Sequence, residues 1–241
     1  MSPYRAILFD LCDTLVHFDA ERLPLIEVDG RPTRSTAETI FRELPPGPLI
    51  PFDTFHACLL DVTAEIAAAR DVDHREVTSR ERFRRILERL GAEASPDAAD
   101  RLVAAHMTRL AHALVSPSHH REVLESLGRR YRLGIVTNFD HAPTVHAVLR
   151  RDGLASSFEV VVISGETGWR KPHRAIFETA LRQLGLGPRE AFFVGDNFAL
   201  DVEGASGMGM SAAWYAPGRR EAPRGFPILD DLANLERLLG D

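Results

Sequence analysis

The chain has 241 residues, room for one large domain or for a sheet domain carrying a smaller one, and enough to bury a core without disulfides or a structural metal. Hydrophobic residues make up 44% and charged residues 27%, the balance of an ordinary globular protein. A net charge of −6, with arginines interleaved among acids, excludes the basic surface that a nucleic-acid partner requires.

In chain order, Met1 to Arg5 lack the basic, long apolar and small-residue succession of a signal peptide. They lead into Ala6 to Leu11, a short apolar run that reads as a buried strand. The long stretch that follows carries no clear strand signal. Pro45-Pro46-Gly47-Pro48 breaks it, and amphipathic patterns over 52–69, 74–90 and 96–114 predict helices. The last opens on Ser95-Pro96-Asp97: a capping residue, proline at the first helical position and an acid in the first turn. Leu133 to Thr137, Val160 to Ser164, Ala191 to Gly195 and Ser211 to Tyr215 then read as further buried strands. Helical patterns at 141–151, 173–185 and 198–207 separate them.

Strand–helix alternation implies right-handed βαβ units, and hence a flavodoxin-like parallel α/β sheet with helices on both faces. The delay after the first strand implies an inserted all-α domain over residues 18–115, within a core domain formed by residues 1–17 and 116–241. Nowhere do ~18 apolar residues run together, so no membrane partner is expected. A chain whose only cysteines are Cys12 and Cys58 suits the reducing cytoplasm.

In an open parallel sheet, ligands sit at the carboxyl ends of the strands. Asp10 and Asp13 follow the first strand, Thr137-Asn138 end the second and Asp196 follows the fourth. A carboxylate so placed can attack an electrophile and form a covalent intermediate. Phosphoryl transfer also needs a cation and fixed donors around the non-bridging oxygens. Asp10 and Asp196 can supply oxygen ligands to Mg²⁺. Thr137 and Asn138 can bind phosphoryl oxygens, and Lys171 can neutralise charge as a compact cation. The inserted domain leaves from the same edge and can close over it as a lid.

Four segments occur in a telling order. They are Asp10-Leu11-Cys12-Asp13-Thr14, Gly134-Ile135-Val136-Thr137-Asn138, Gly168-Trp169-Arg170-Lys171-Pro172, and Val194-Gly195-Asp196-Asn197 continuing through Asp201 to Ala205. Together they resemble the four motifs of the haloacid dehalogenase superfamily, and the inserted domain sits where that family's first type of cap is found. The resemblance implies a Mg²⁺-dependent hydrolase, foremost a phosphohydrolase of a small phosphorylated metabolite. In that scheme Asp10 attacks and is transiently phosphorylated, Thr137 binds the transferred group and Lys171 steadies both. Thr14, Thr137, Asn138 and Lys171 form the implied substrate-binding set. Asp10, Asp196, the Cys12 backbone carbonyl and Asp201 form the implied metal set, Asp201 acting either directly or behind a metal-bound water or Lys171.

One position departs from the family. Its phosphatases place a second Asp two residues after the nucleophile, to protonate the leaving oxygen and then activate water, and Cys12 stands there. Positioned acid–base catalysis contributes ~10²–10⁴-fold, so the loss is costly for a poor leaving group. Asp13 is next along an extended chain and is expected to point the other way. Four readings follow: a substitute acid, with His17 and His141 the candidate histidines; a substrate with a good leaving group; dehalogenase chemistry, in which halide departs without a proton; or a binding protein without turnover. Gly195-Asp196 at the head of the fourth motif resembles the metal-dependent branch. His119-His120 are expected to be solvated and Cys58 to pack in an inserted helix. Trp169 and Arg170 are expected either at the substrate entrance or in loop packing.

Overall fold

The computed structural model describes residues 3–240; residues 1, 2 and 241 of the expected core domain lie outside the described residues. Strand β1 (Ala6–Phe9) is buried along its whole length and gives way at Asp10 to a tight loop. After β2 (His17–Phe18) the chain enters the insert. There a hairpin, β3 (Leu25–Val28) and β4 (Arg31–Arg34), precedes helices α1 (Ala37–Phe41), α2 (Phe52–Asp73), α3 (Ser79–Arg89) and α4 (Pro96–Ala113). Strand β5 (Leu114–Val115) pairs antiparallel with β2, so the exit and the return of the insert lie side by side.

The hairpin corrects the expectation of an all-α insert. Asp29 and Gly30 turn it with φ of 50° and 70°, a two-residue loop left-handed at both positions. The helices pack around their own core, which includes Ile40, Phe55, Val62, Phe83, Ile86 and Leu102. Helix α3 starts later than its amphipathic pattern predicts, because Thr78 caps it by accepting from the Glu81 amide at 3.3 Å. Helix α2 ends at His74, whose φ of 56° reverses the chain. Residues 74–78 are thereby free to reach toward the sheet.

Past β5 come α5 (His120–Leu127), β6 (Arg132–Thr137), α6 (Ala142–Arg151), β7 (Val160–Ile163), α7 (Ser164–Thr167), α8 (Arg174–Leu184) and β8 (Ala191–Gly195). A π-helical turn, Phe198–Glu203, runs into α9 (Gly204–Gly207), and β9 (Ser211–Tyr215), β10 (Ile228–Leu229) and α10 (Leu235–Leu239) complete the chain. Six strands form one parallel sheet in the order β10-β9-β8-β1-β6-β7.

Alternation along β1 divides the core. Ala6 and Leu8 join Ile176, Phe177 and Leu181 of α8 on one face, and Ile7 and Phe9 join Leu124 of α5, Val148 of α6 and Leu235 of α10 on the other. Each large side chain so buried contributes roughly 1.5–3 kcal/mol. From β1 the strand order grows one way to β6 and β7 and the other way to β8, β9 and β10. Connections therefore diverge at the carboxyl ends of β1, β6 and β8, which is where such sheets bind ligands. Among the described residues, no helix is long and apolar enough to cross a membrane.

Candidate active site

Three adjacent strands deliver the chemistry. Asp10 follows β1, Thr137 ends β6 and Asp196 follows β8. All the expected site residues except Thr14 line one cavity of about 180 Å³. At its floor the Lys171 Nζ lies 2.7 Å from Asp10 Oδ1 and 2.6 Å from Asp201 Oδ1. Lys171 is 3% exposed and Asp201 0%, so this ion pairing is screened from water. Burial works against the charge of Lys171, yet Asp10 and then Asp201 hold its pKa above the ordinary lysine value.

Two asparagines set these groups in place. Asn138 accepts from the Lys171 amide at 2.7 Å and donates to its carbonyl at 3.1 Å, so it grips the lysine's backbone across the cleft. Asn197 caps the π-helical turn by accepting from the Leu200 amide at 3.0 Å. Its own amide donates to Asp201 Oδ2, also at 3.0 Å. The Asp196 backbone is held by Trp214, whose Nε1 donates to its carbonyl at 2.6 Å.

Oxygens of Asp10, Asp196 and Asp201 lie within 4.8 Å of one another. Three carboxylates thus face one ammonium, an excess of negative charge that a proton or a bound cation could relieve. Burial first, then Asp10 and Asp201, push the Asp196 carboxyl up to about 7. Burial likewise raises Asp201, against the pull of Lys171. A cluster of hard oxygen donors of this kind suits Mg²⁺. In the same cavity Thr137 Oγ1 is buried and, among the described residues, has no hydrogen-bond partner, a donor left for an oxygen entering the cavity.

Several expectations need correction. Thr14 is fully buried, is absent from the cavity wall, and its Oγ1 donates to Asp196 Oδ1 at 3.4 Å, so it touches the acid rather than the cavity. At Asp13 the chain is no longer extended, with φ at 57°; the residue borders the cavity, and its Oδ1 accepts from the Phe18 amide at 3.0 Å. Neither His17 nor His141 lines the cavity; His141 Nδ1 pairs with Thr144 Oγ1 at 2.8 Å. His120, expected in solvent, is fully buried with Nδ1 2.9 Å from the Leu15 carbonyl. Cys58 is core, as its helical position predicts. Cys12 lines the cavity, and burial, then Asp10 and Asp13, push its thiol well above the ordinary value.

Sequence reasoning missed how the insert meets the sheet domain. Glu76, on the segment after α2, accepts from Ser164 Oγ at 2.5 Å and Arg170 Nη1 at 2.6 Å, both from the sheet domain. Arg70 of α2 reaches the same carboxylate at 2.5 Å. Arg75 lies over Trp169 at 4.2 Å, and Trp169 stacks on His173 at 3.9 Å. Trp169 therefore belongs to packing, while Arg170 enters a second cavity beside the first. Nothing local marks Glu76, because its partner Arg170 is 94 residues away.

Comparison with known proteins follows the same lines. The family model for haloacid dehalogenase-like hydrolases matches residues 54–215. The chain is 30% identical over 220 residues to the glyceraldehyde 3-phosphate phosphatase of Pyrococcus furiosus, covering 91% of this chain and 83% of that one. It is 32% identical over 245 residues to the phosphoserine phosphatase of Thermus thermophilus, covering 93% and 94%. Among solved structures, a 2-haloacid dehalogenase from Pseudomonas syringae superposes with a TM-score of 0.73 at 23% identity, over 98% of both chains. The hydrolase YfnB of Bacillus subtilis, bound to magnesium, does so at 0.64 and 22%, over 99% of both. At these identities the structural likeness carries the fold alone.

Proposed function

The chain belongs to the haloacid dehalogenase-like hydrolase family, and from that premise we propose that it is a Mg²⁺-dependent phosphohydrolase acting on a small phosphorylated metabolite through an aspartyl-phosphate on Asp10. The observation that carries the reading is the Lys171 ammonium held between Asp10 and Asp201, with Asp196 alongside and the unpartnered Thr137 hydroxyl in the same cavity. Family relatives bearing phosphatase names support the substrate class.

Asp10 and Asp196 would hold Mg²⁺, with Asp201 behind them fixing Lys171. When bound, the ion supplies neutralisation of the phosphoryl oxygens. An Asp10 oxygen attacks phosphorus as the bond to the leaving oxygen breaks. Thr137 Oγ1 donates to a phosphoryl oxygen, and Lys171 keeps Asp10 aligned. Water then attacks the phosphorus, the bond to Asp10 breaks, and inorganic phosphate departs. Residues 18–115 act as the cap that keeps bulk water out, and residues 1–17 and 116–241 as the core domain. The enzyme works in the cytoplasm.

The weak point of the constellation is the proton for the leaving oxygen. A thiol raised in pKa, as Cys12 is, gives up its proton poorly. The proposed substrates therefore carry a leaving group that departs with little help, or are turned over slowly. Hydrolysis of acetyl phosphate and p-nitrophenyl phosphate, with and without Mg²⁺, tests the reading against an Asp10→Asn control. Release of phosphate that needs both Mg²⁺ and Asp10 is the expected result. Activity that survives in Asp10→Asn would remove the covalent step.

A further inference from the structure

Beside the reaction cavity lies a second one of about 190 Å³, and the two share Lys171 and Leu200 in their walls. Arg70, Asp71 and His74 of the cap line it from one side and Arg170 of the core from the other. It is small beside the ~300–1,000 Å³ of typical ligand pockets, so it takes a short substituent. The charges around it do not balance. Of the residues that line it, Arg70 and Arg170 share the one carboxylate of Glu76, at 2.5 Å and 2.6 Å, and the only other acid with which Arg70 pairs among the described residues, Asp140, is 3.8 Å away. Among the described residues, the Nε of Arg70 is buried without a hydrogen-bond partner. An orphaned buried cationic donor is costly, and an anion removes the cost.

Glu76 is fully used in holding the arginines. Its Oε1 takes Arg70 Nη2 and the Val77 amide, and its Oε2 takes Arg170 Nη1 and Ser164 Oγ. Each guanidinium has five N–H groups and spends only part of them on Glu76. Two like charges from different domains are thus pinned side by side, with donors to spare, next to the reaction cavity. Asp71 on the same wall does not cancel them, because it is exposed and water screens it.

We propose that this cavity receives a carboxylate carried by the substrate, so that the enzyme prefers phosphomonoesters of small carboxylic acids, with Arg70 and Arg170 as the specificity-determining residues and Glu76 as the residue that positions them. The proposal rests on the phosphohydrolase reading above and names its substrate class. It also ties recognition to cap closure, since one arginine comes from each domain.

Two matched pairs of substrates test it: 3-phosphoglycerate against glycerol 3-phosphate, and phosphoserine against phosphoethanolamine, each pair differing in the carboxylate. With the Mg²⁺-loaded full chain, kcat/KM for the acid should exceed that for its partner by at least about tenfold, and Arg70→Gln or Arg170→Gln should shrink that ratio by a similar factor, chiefly through KM. Arg170→Lys should restore part of it. No preference in the wild type, or equal losses on both members of a pair, would overturn the proposal and leave the arginines as domain glue. Calorimetric binding of each pair to Asp10→Asn decides the same question without turnover, because tighter binding of the acid is required. Loss of all phosphatase activity in the wild type would sink the reaction proposed above, while the binding result would still decide the subsite.

Discussion

Gly195 leaves the space that the Asp201 carboxylate fills. A Cβ on Gly195 would stand 2.4 Å from Asp201 Cγ and Oδ2, far inside van der Waals contact. The last residue of β8 is therefore bare so that an acid from the following turn can fold back against the strand end and meet Lys171. Gly195→Ala must displace that carboxylate, which gives up both the Lys171 pair and the Asn197 amide. Forced overpacking of this kind costs about 1–3 kcal/mol. A lower melting point and a fall in kcat as large as that of Asp201→Asn are expected. Wild-type activity in Gly195→Ala would show that Lys171 does not depend on Asp201.

In the proposed reaction, metal binding and pH are linked at the same place. The folded pKa of Asp196 is raised to about 7, so protonation there stabilises the metal-free fold at low pH. That contribution is complete below the ordinary carboxylate value of 3.8 and is lost as pH rises through about 7. Above it the cluster is fully charged and Mg²⁺ has the most repulsion to relieve. At ~100 times its Kd a ligand adds about 2.7 kcal/mol, or roughly 5–10 °C for a chain of this size. Thermal scans should show that gain at pH 8 and a much smaller one at pH 5.5. Equal shifts at both pH values would mean that Mg²⁺ does not compete with protons for Asp196.

The parts of the molecule that were legible in the sequence are those where burial and composition coincide. Strands β8 and β9 fall on their apolar runs because the sheet is covered on both faces, and Asp10, Thr137 and Asp196 sit together because each ends a strand of that sheet. The hairpin escaped although Asp29-Gly30 is a turn signal, since Arg31-Pro32-Thr33-Arg34 is exposed throughout and shows no alternation. His120 looked polar and is buried, because its partner is a carbonyl 105 residues earlier. Past Asp10 the chain turns rather than staying extended, with Asp13 at φ 57°, a local reversal that no apolar pattern announces. The Arg70–Glu76–Arg170 cluster joins two domains, and no periodicity records that kind of contact.

His106 gives the cap a pH limit of its own. It is half-buried beside Phe83, its Nδ1 lies 2.8 Å from Thr36 Oγ1, and desolvation, then Arg82 and His141, push its pKa down to about 3. A depressed histidine favours the neutral ring in the fold. Its contribution is complete above the ordinary value of 6.5 and drains away as pH falls toward about 3. Each pH unit in that window costs about 1.4 kcal/mol. Urea midpoints in saturating Mg²⁺ should therefore fall between pH 7 and pH 5 in the wild type and fall less in His106→Asn. Parallel curves for the two proteins would place the acid sensitivity elsewhere, for instance at His120, which burial also lowers.

Cys12→Asp asks what the active site lacks. The side chain at this position lines the reaction cavity, so a carboxyl there would reach a leaving oxygen bound against Asp10. It would also add a carboxylate to a wall that already holds Asp10, Asp13, Asp196 and Asp201, so the metal-free variant should melt earlier than the wild type. With Mg²⁺ present, turnover of an alkyl phosphomonoester should rise by ~10²-fold or more, the scale of a positioned general acid. Acetyl phosphate should gain far less, because its leaving group needs little protonation. That contrast separates a missing proton donor from a general improvement of the site. If Asp13 already serves as the donor, Cys12→Asp brings no gain and Asp13→Asn lowers wild-type turnover of the alkyl ester by the same factor. Steady-state rates for the two variants on the two substrates distinguish these outcomes.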